Sequence, residues 1–364
     1  MKKSLALLLV LTMTLFAFVG CAKQEAPAST PPAAEQPAKE EPTKEEPAKE
    51  EPAVTEDSVK TGLAVISSVE KSADAGEKDG LAQTDSVVVA VTVDKDGKIV
   101  QAAIDTAQTK INFTKEGKIS SDVKAEYKSK QELGTDYGMA KASSLGKDWF
   151  EQANALADYF VGKTVEEIKA IPVTDTGVPT TADLTSSVTI KINSYVAAVE
   201  KAVENAQFVG ATKNDELGLG VLTTIAKSKD AAADAEGLAQ AYTTYTATTF
   251  GADGKITGSI IDASQSNVKF DVTGKITTDL KAELFTKNEL GDNYGMKKAS
   301  QIGKEWYEQA DAFAKFIVGK TAEEVKGIAV DEEGTTTDAD LVSSVTVGVD
   351  GFQSVVEKAY AAVK

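Results

Sequence analysis

The sequence predicts an α+β fold in which one domain is present twice in tandem. Gly80–Gln83 returns as Gly237–Gln240 and Trp149 returns as Trp306, and the offset of 157 residues holds without a gap from Gly80 to the end. Within each copy, the apolar pattern changes from the two-residue period of strands to the longer period of helices. The length of 364 residues also fits two domains of roughly 150 residues each.

The domain boundaries follow from the limits of the duplication. We place the first domain at residues 58–207 and the second at 214–364, with a short connection around 210–213. The period is far longer than the repeats of solenoid proteins. We therefore expect two homologous globular domains, each a β-hairpin or sheet packed with helices.

Each copy begins with a β-hairpin. Val87–Val93 and Lys98–Val100 are apolar segments separated by the turn Asp94–Gly97, which is a typical hairpin pattern. The two aspartates of this turn raise the alternative of a calcium site, but an EF-hand loop needs more ligands and a distal glutamate. The second copy has Phe250–Gly254 there, so we interpret the segment as a turn.

Helices follow the hairpin. One apolar stripe has helical spacing, and its members are Leu145, Trp149, Ala153, Leu156 and Phe160. Gly162-Lys163 ends this helix, and Thr164–Glu167 is a capping box that opens another. The second copy repeats the capping box at Thr321–Glu324. Beyond a polar loop, Ser187–Ile192 is predicted as a strand. Asn193–Ala206 is predicted as a final helix whose inward residues are Val196, Val199 and Val203.

The N-terminal segment has the layout of a secretory signal. Met1-Lys2-Lys3 precedes an apolar run from Leu5 to Val19, which is too short for a comfortable membrane span. Phe18–Cys21 resembles the lipobox of bacterial lipoproteins, with Phe18 in place of the usual leucine. The resemblance implies that residues 1–20 are removed and that Cys21 carries the lipid, such as palmitate. The alternative is an ordinary secreted protein with a stray thiol.

Residues 21–57 predict a tether between this anchor and the folded part. Their composition is dominated by Pro, Ala, Glu and Lys, which cannot bury a core and favours extended, disordered chain. We therefore expect a lipid-anchored protein on the extracytoplasmic face of the cell membrane, exposed toward the cell wall or surface.

The composition excludes most kinds of side-chain catalysis. The chain has no histidine and one cysteine, and all 39 basic residues are lysine. No Ser-His-Asp or Cys-His pair, imidazole metal ligand, disulfide framework or thiolate zinc cluster can therefore form. The formal charge of -17 argues against nucleic acid as a partner, because binding phosphates needs excess cationic side chains. Any chemistry must come from a carboxylate or from an attached cofactor.

One loop is closely preserved between the copies. Glu132–Met139 matches Glu289–Met296, and in each a tyrosine is enclosed by glycines. Glycines allow the backbone to approach a ligand, and the Tyr and Met side chains offer a surface to a planar ring. The candidate residues are Tyr137, Gly138, Met139, Tyr294, Gly295 and Met296. The alternative is that this loop only starts the Trp149 helix and that Tyr137 covers the core.

A second preserved segment has the spacing D-x-x-S-x-x-T. Its residues are Asp183, Ser186 and Thr189 in the first copy, and Asp340, Ser343 and Thr346 in the second. The segment resembles the flavinylation motif D-x-x-S-G-A-T of FMN-binding domains, which occur in subunits of sodium-pumping quinone reductases and Rnf complexes. It departs from that motif in having Ser187-Val188 and Ser344-Val345 where Gly-Ala is usual. The resemblance implies that a flavin transferase attaches FMN to Thr189 and Thr346 through phosphoesters.

The chain as a whole is similar to lipidated two-flavin proteins of Gram-positive extracellular electron transfer. That resemblance implies a redox carrier rather than an enzyme with its own substrate turnover. Its partners would be a membrane NADH dehydrogenase and the quinone pool upstream, and flavins or ferric iron downstream. We expect the isoalloxazine ring near the Tyr and Met residues of the preserved loops, and we assign Trp149 and Trp306 to packing.

Two alternatives of other classes remain. The first is a non-redox surface lipoprotein module that binds a ligand or a protein partner. The second is a hydrolase with paired carboxylates, for which the sequence offers only abundant Asp and Glu, and such charges are usually solvated.

Overall fold

The computed structural model describes residues 54–363 and has an α+β architecture. Two repeated units each contain three antiparallel strands packed with helices, as the sequence predicts. The signal peptide, Cys21 and nearly all of the expected tether lie outside the described residues. Within residues 54–363, no helix has the length and apolar character that crossing a membrane requires.

The first unit has three strands followed by five helices. Its elements are β1 (Lys60–Ser68), β2 (Gly80–Val93), β3 (Ile99–Phe113), α1 (Lys130–Leu133), α2 (Trp149–Phe160), α3 (Val165–Lys169), α4 (Ala182–Thr185) and α5 (Asn193–Glu204). A single 3₁₀ turn, Gly134–Tyr137, follows α1.

The second unit repeats this order without a counterpart of α4. Its elements are β4 (Glu216–Thr224), β5 (Gly237–Phe250), β6 (Ile256–Phe270), α6 (Lys287–Leu290), α7 (Trp306–Phe316), α8 (Ala322–Lys326) and α9 (Asp350–Ala362). The corresponding 3₁₀ turn is Gly291–Tyr294.

The predicted hairpin is confirmed, and its strands are longer than the apolar segments. In the first sheet, β2 pairs antiparallel with both β1 and β3. The Oδ1 atom of Asp94 accepts backbone hydrogen bonds from Asp96 and Lys98, both at 2.9 Å, and Gly97 has a φ of 77°. The carboxylate of Asp94 therefore stabilises the turn backbone, which agrees with a turn rather than a calcium loop.

The uninterrupted apolar run of β2 reflects burial of both faces of its sheet. Val89 and Val91 pack against the helices of their own unit, whereas Val88 and Ala90 pack against the second sheet. All four are fully buried. A strand covered on both sides has no polar face, so its sequence lacks the alternation of a half-exposed strand.

The contact between the two units has approximate two-fold symmetry. Phe113 and Phe270 occupy equivalent positions and stack on each other, with ring centroids 4.2 Å apart and planes 8° from parallel. Two reciprocal ion pairs also join the units, between Lys201 and Glu289 and between Lys358 and Glu132. Both glutamates also complete capping boxes, at α1 and at α6. Preservation of these glutamates in the loops therefore has a structural reason.

Two glycines allow the last helix of each unit to lie directly on its sheet. A Cβ atom on Gly62 would lie 1.9 Å from the carbonyl oxygen of Ala202 in α5, and one on Gly218 would lie 2.2 Å from that of Ala359 in α9. No backbone atom tolerates such a distance, so any side chain would push the helix away from the strand.

We expect Gly218→Ala to lower the free energy of unfolding by about 1–3 kcal/mol, the usual cost of overpacking a core. Urea unfolding followed by tryptophan fluorescence measures this change. The matched control is Gly76→Ala, because a Cβ atom at Gly76 would have no neighbour within 4 Å. Equal stabilities of the two variants would contradict the close packing of α9 on β4.

The predicted helices are confirmed with small changes in their limits. Leu145 lies before α2, and the buried residues of α5 are Tyr195, Ala198, Val199 and Ala202, with Val196 and Val203 at the edge of the core. The predicted capping boxes at Thr164 and Thr321 are both present.

The predicted strand Ser187–Ile192 is wrong. This segment is irregular chain between α4 and α5. Val188 and Ile192 are fully buried, which explains the apolar alternation. However, the backbone amide of Thr189 bonds to a side chain, and that of Ile192 donates to the carbonyl of Gly177 at 2.8 Å. These backbone amides are thus hydrogen-bonded without a neighbouring strand.

Candidate functional site

The two candidate threonines are held in the same way. Thr189 donates hydrogen bonds to Oε1 of Gln152 from both its backbone amide, at 2.8 Å, and its hydroxyl, at 3.1 Å. Thr346 donates both to Oε1 of Gln309, at 2.8 Å and 3.2 Å. Both glutamines lie on the helix that carries the tryptophan, and both have 0% exposure. One buried amide therefore fixes each threonine.

The remaining bonds of the glutamine amide determine its orientation. Nε2 of Gln152 donates to the hydroxyl of Ser143 and to the carbonyl of Lys147, both at 3.1 Å. Nε2 of Gln309 donates to Ser300 and to the carbonyl of Lys304, at 3.3 Å and 3.2 Å. A carbonyl cannot donate, so the amide oxygen must face the threonine N–H. The buried amide is satisfied on both sides.

The threonine side chains are partly open to solvent. Thr189 and Thr346 are half-buried, while the residues that precede them, Val188 and Val345, are fully buried. The main chain is thus anchored in the core at the residue before each threonine. Each threonine therefore lies at the edge of the core, on a backbone that is fixed from the preceding residue.

The acidic and serine residues of the motif lie on the surface. Asp183, Ser186, Asp340 and Ser343 are all exposed. Their side chains form no hydrogen bond within residues 54–363. Asp183 lies in α4 and Ser186 at its C-terminal end, and Asp340 and Ser343 lie in the equivalent turn, but none of them is bonded to the threonine that follows. Their recurrence in both units therefore has no packing explanation.

The tight loop around Tyr137 is confirmed. Gly134 and Gly138 have φ values of 51° and 74°, a conformation that favours glycine. Tyr137 and Met139 are half-buried and pack against the core that contains Trp149. Trp149 and Trp306 are 2% and 3% exposed, so their assignment to packing is confirmed.

Hydrogen bonds connect this loop to the threonine. The carbonyl of Met139 accepts the backbone amide of Ser143 at 3.0 Å, and the Ser143 hydroxyl accepts from Gln152, which in turn binds Thr189. In the second unit, Met296, Ser300 and Gln309 make the same connection. The two preserved segments are therefore brought together in each unit. Tyr294, Gly295 and Met296 occupy positions equivalent to Tyr137, Gly138 and Met139.

The lysine that begins the short helix differs between the units. In the second unit, Lys287 is 5% exposed and its Nζ lies 4.7 Å from each of three ring centroids, those of Tyr242, Tyr294 and Trp306. Burial lowers the pKa of Lys287 to about 8. In the first unit, Lys130 is half-buried, and its Nζ lies 4.6 Å and 5.4 Å from two rings.

Two aspartates are buried beneath the same short helices. Asp105 and Asp262 lie at equivalent positions of β3 and β6 and are 4% and 7% exposed. Burial raises the pKa of Asp105 to about 6 and that of Asp262 to about 7. The Oδ1 atom of Asp262 accepts backbone hydrogen bonds from Ala263 and Asn288, at 2.7 Å and 3.0 Å.

Two cavities of similar size flank the contact between the units, with volumes of about 650 and 640 Å³. Ile104, Asn154 and Lys358 line the first, and Ile261, Asp311 and Gln207 line the second. Thr189, Thr346 and the Tyr and Met residues of the two loops line neither cavity, whereas Glu132 lines the first. Among residues 54–363, no cluster of acidic side chains is arranged to hold a metal ion.

Sequence reasoning missed Gln152 and Gln309. A signal was present: both belong to the apolar stripe of the tryptophan helix, three residues after the tryptophan, and both copies have glutamine there. A polar residue that recurs on a buried helix face needs a buried partner.

We expect Gln309→Leu to lower the free energy of unfolding by about 1–3 kcal/mol, because the amide of Thr346 and the carbonyl of Lys304 lose their partners. Chemical denaturation measures this change. The control Gln301→Leu alters an exposed glutamine in the preceding loop, and we expect little effect. A fully stable Gln309→Leu protein would show that the amide does not fix Thr346.

Comparison with known proteins yields one short similarity. No protein-family model matches the chain, and no solved structure matches it. A segment of 41 residues is 49% identical to a protein named chlorophenol reductase from Desulfitobacterium hafniense. The matched segment covers 11% of this chain and 12% of that protein. The similarity is thus limited to a small part of each.

Proposed function

We propose that this protein is a membrane-anchored extracytoplasmic electron carrier with two FMN groups attached covalently to Thr189 and Thr346. The observation that carries the proposal is that the residues of the motif differ in their contacts. In both units a buried glutamine fixes the threonine, while the acidic and serine side chains are exposed and unbonded. Side chains that recur without a structural role suit recognition by an enzyme such as a flavin transferase.

The environment of the threonines is compatible with a phosphoester. Esterification removes the hydroxyl proton of Thr189, so its bond to Gln152 is lost, but the backbone amide still donates to the same oxygen. The anchored backbone would keep its position. A covalent link also reduces the need for cationic clamps on the phosphate, which suits a chain without arginine.

The attached FMN would supply one- or two-electron chemistry, and the chain would supply its position and electrostatic surroundings. The residues offered to the ring are Tyr137 and Met139 in the first unit and Tyr294 and Met296 in the second. Each pair is half-buried and connected to its threonine through a serine and a glutamine.

The proposed partners follow from the same role. A flavin transferase matures the protein, and the lipid on Cys21 holds it at the membrane. A membrane NADH dehydrogenase and the quinone pool reduce it, and extracellular flavins or ferric iron oxidise it. The short similarity to a protein named as a reductase is in keeping with redox chemistry, and we propose no chlorinated substrate from it.

Mass spectrometry of the protein from its native host, or co-expressed with a flavin transferase, tests the proposal. We expect FMN on the two peptides that contain Thr189 and Thr346, and a yellow colour that persists after denaturation. Protein made without a transferase is the control and should be colourless. Unmodified threonines in the native-host protein would refute the proposal.

A second candidate is a non-redox module that binds a small ligand. The observation in its favour is the pair of cavities, each combining apolar and polar walls and lying apart from the threonines. If this candidate is correct, native protein contains no flavin, and its function is unchanged after Thr189→Ala and Thr346→Ala together. Loss of electron transfer in that double variant would exclude it.

A further inference from the structure

The two units differ at one strand position, and in the second unit its side chain contacts the lysine that lies beside the tyrosine loop. Asp85 in β2 and Tyr242 in β5 are equivalent in the duplication. Asp85 forms an ion pair with Lys71 at 2.8 Å and accepts a hydrogen bond from Gln108 at 2.8 Å. Tyr242 carries no charge and accepts a hydrogen bond from Lys287 at 2.9 Å. The first unit therefore has a carboxylate where the second has a neutral phenol.

This exchange changes the surroundings of the lysine. The ring of Tyr242 completes the cage around Lys287, and Lys287 forms no ion pair within residues 54–363. Lys130, its equivalent, lacks the third ring and is more exposed to water. A cation removed from water acts more strongly on its neighbours, because less solvent screens it.

Each lysine lies against the tyrosine that we expect to contact the flavin ring. The Nζ atom of Lys287 is 4.7 Å from the centroid of Tyr294, and that of Lys130 is 4.6 Å from the centroid of Tyr137. The reduced flavin carries more negative charge than the oxidised form, so a nearby cation stabilises reduction and a nearby carboxylate opposes it.

We propose that the two flavin sites are unequal, and that the site of the second unit has the higher reduction potential because Lys287 is buried beside Tyr294 and enclosed by the ring of Tyr242, which the first unit lacks. This inference rests on the proposed function. The difference in potential gives electron transfer a direction: each electron lost by a reduced flavin on Thr189 is gained by an oxidised flavin on Thr346. The accompanying protons are exchanged with water.

Redox titration of single-flavin proteins tests whether the reduction potentials of the two sites differ. Thr346→Ala leaves only the first flavin, and Thr189→Ala leaves only the second. With dyes of known potential, we expect the reduction equilibrium constants to differ at least tenfold in favour of the second, which is about 30 mV for a two-electron couple. Equal potentials or the reverse order would overturn the inference.

Lys287→Met in the Thr189→Ala protein tests whether Lys287 raises the potential of the second site. Methionine keeps the length and apolar stem but removes the charge, so we expect the potential to fall by most of the difference between the sites. Lys130→Met in the Thr346→Ala protein is the matched control, and we expect a smaller fall because water screens Lys130. Equal falls in the two proteins would overturn the assigned cause.

Tyr242→Asp in the Thr189→Ala protein provides a second measurement in case the methionine variant does not fold. It removes the third ring and places a carboxylate beside Lys287, so we expect a lower potential; an unchanged potential would overturn the inference. Intact mass distinguishes a failure of the proposed function from a failure of the inference. Native protein without flavin refutes the proposed function and the inference together, whereas two flavins of equal potential refute the inference alone.

Discussion

Replacing Thr189 by alanine is expected to remove one of the two covalent FMN groups that we propose, and replacing Thr346 to remove the other. The ester needs a hydroxyl, and alanine offers none, so the loss should be complete at each site. The backbone bond to the buried glutamine survives the substitution, and we therefore expect a folded protein. Intact mass and the absorbance of acid-denatured protein count the remaining flavins, and the double variant should be colourless.

Thr185→Ala is the control that the chain itself provides. Thr185 lies within the same motif, is exposed, and donates its hydroxyl to the carbonyl of Ala182 at 3.3 Å. We expect this variant to retain both flavins. Loss of flavin from Thr185→Ala, or a flavin that remains in the double variant, would mean that the attachment point is elsewhere. A circular dichroism spectrum like that of the wild type confirms that each variant is folded.

Local signals account for most of the fold that could be predicted. The hairpin around Asp94–Gly97 and the capping boxes at Thr164 and Thr321 depend on a few neighbouring residues, and all are present. The strand predicted at Ser187–Ile192 failed because apolar alternation records which side chains are buried, not which groups bond the backbone. That backbone binds Gln152 and Gly177, which are distant in sequence.

The candidate site was predicted only where the sequence carries a motif. The repeated D-x-x-S-x-x-T spacing leads to Thr189 and Thr346, whereas Gln152 and Lys287 belong to no motif. Lysine is almost never fully buried unless it is paired. Burial of Lys287, at the start of α6, depends on Tyr242, which is 45 residues away and lies on strand β5. Such an environment is produced by tertiary packing and has no local sequence signature.

The buried carboxyl groups should also give the protein an unusual dependence of stability on pH. An aspartate whose pKa is higher in the folded protein than in the unfolded chain releases its proton more readily on unfolding. For Asp262 the pKa rises from 3.8 to about 7. Its contribution to stability is therefore complete below pH 4 and is lost as the pH rises to 7, at about 1.4 kcal/mol per pH unit. Asp105, with a pKa of about 6, loses its contribution between pH 4 and pH 6.

Asp262→Asn should remove this dependence, because the amide keeps an acceptor for the backbone hydrogen bonds of Ala263 and Asn288 but does not titrate. Relative to the variant, we expect the wild type to lose up to about 4 kcal/mol of unfolding free energy between pH 4 and pH 7. Urea denaturation at half-unit pH steps measures this difference, which is independent of any constant effect of the substitution. The control Asp234→Asn alters an exposed carboxyl, and its unfolding free energy should depend on pH in the same way as that of the wild type. A parallel curve for Asp262→Asn would show that this carboxyl keeps its ordinary pKa in the folded protein.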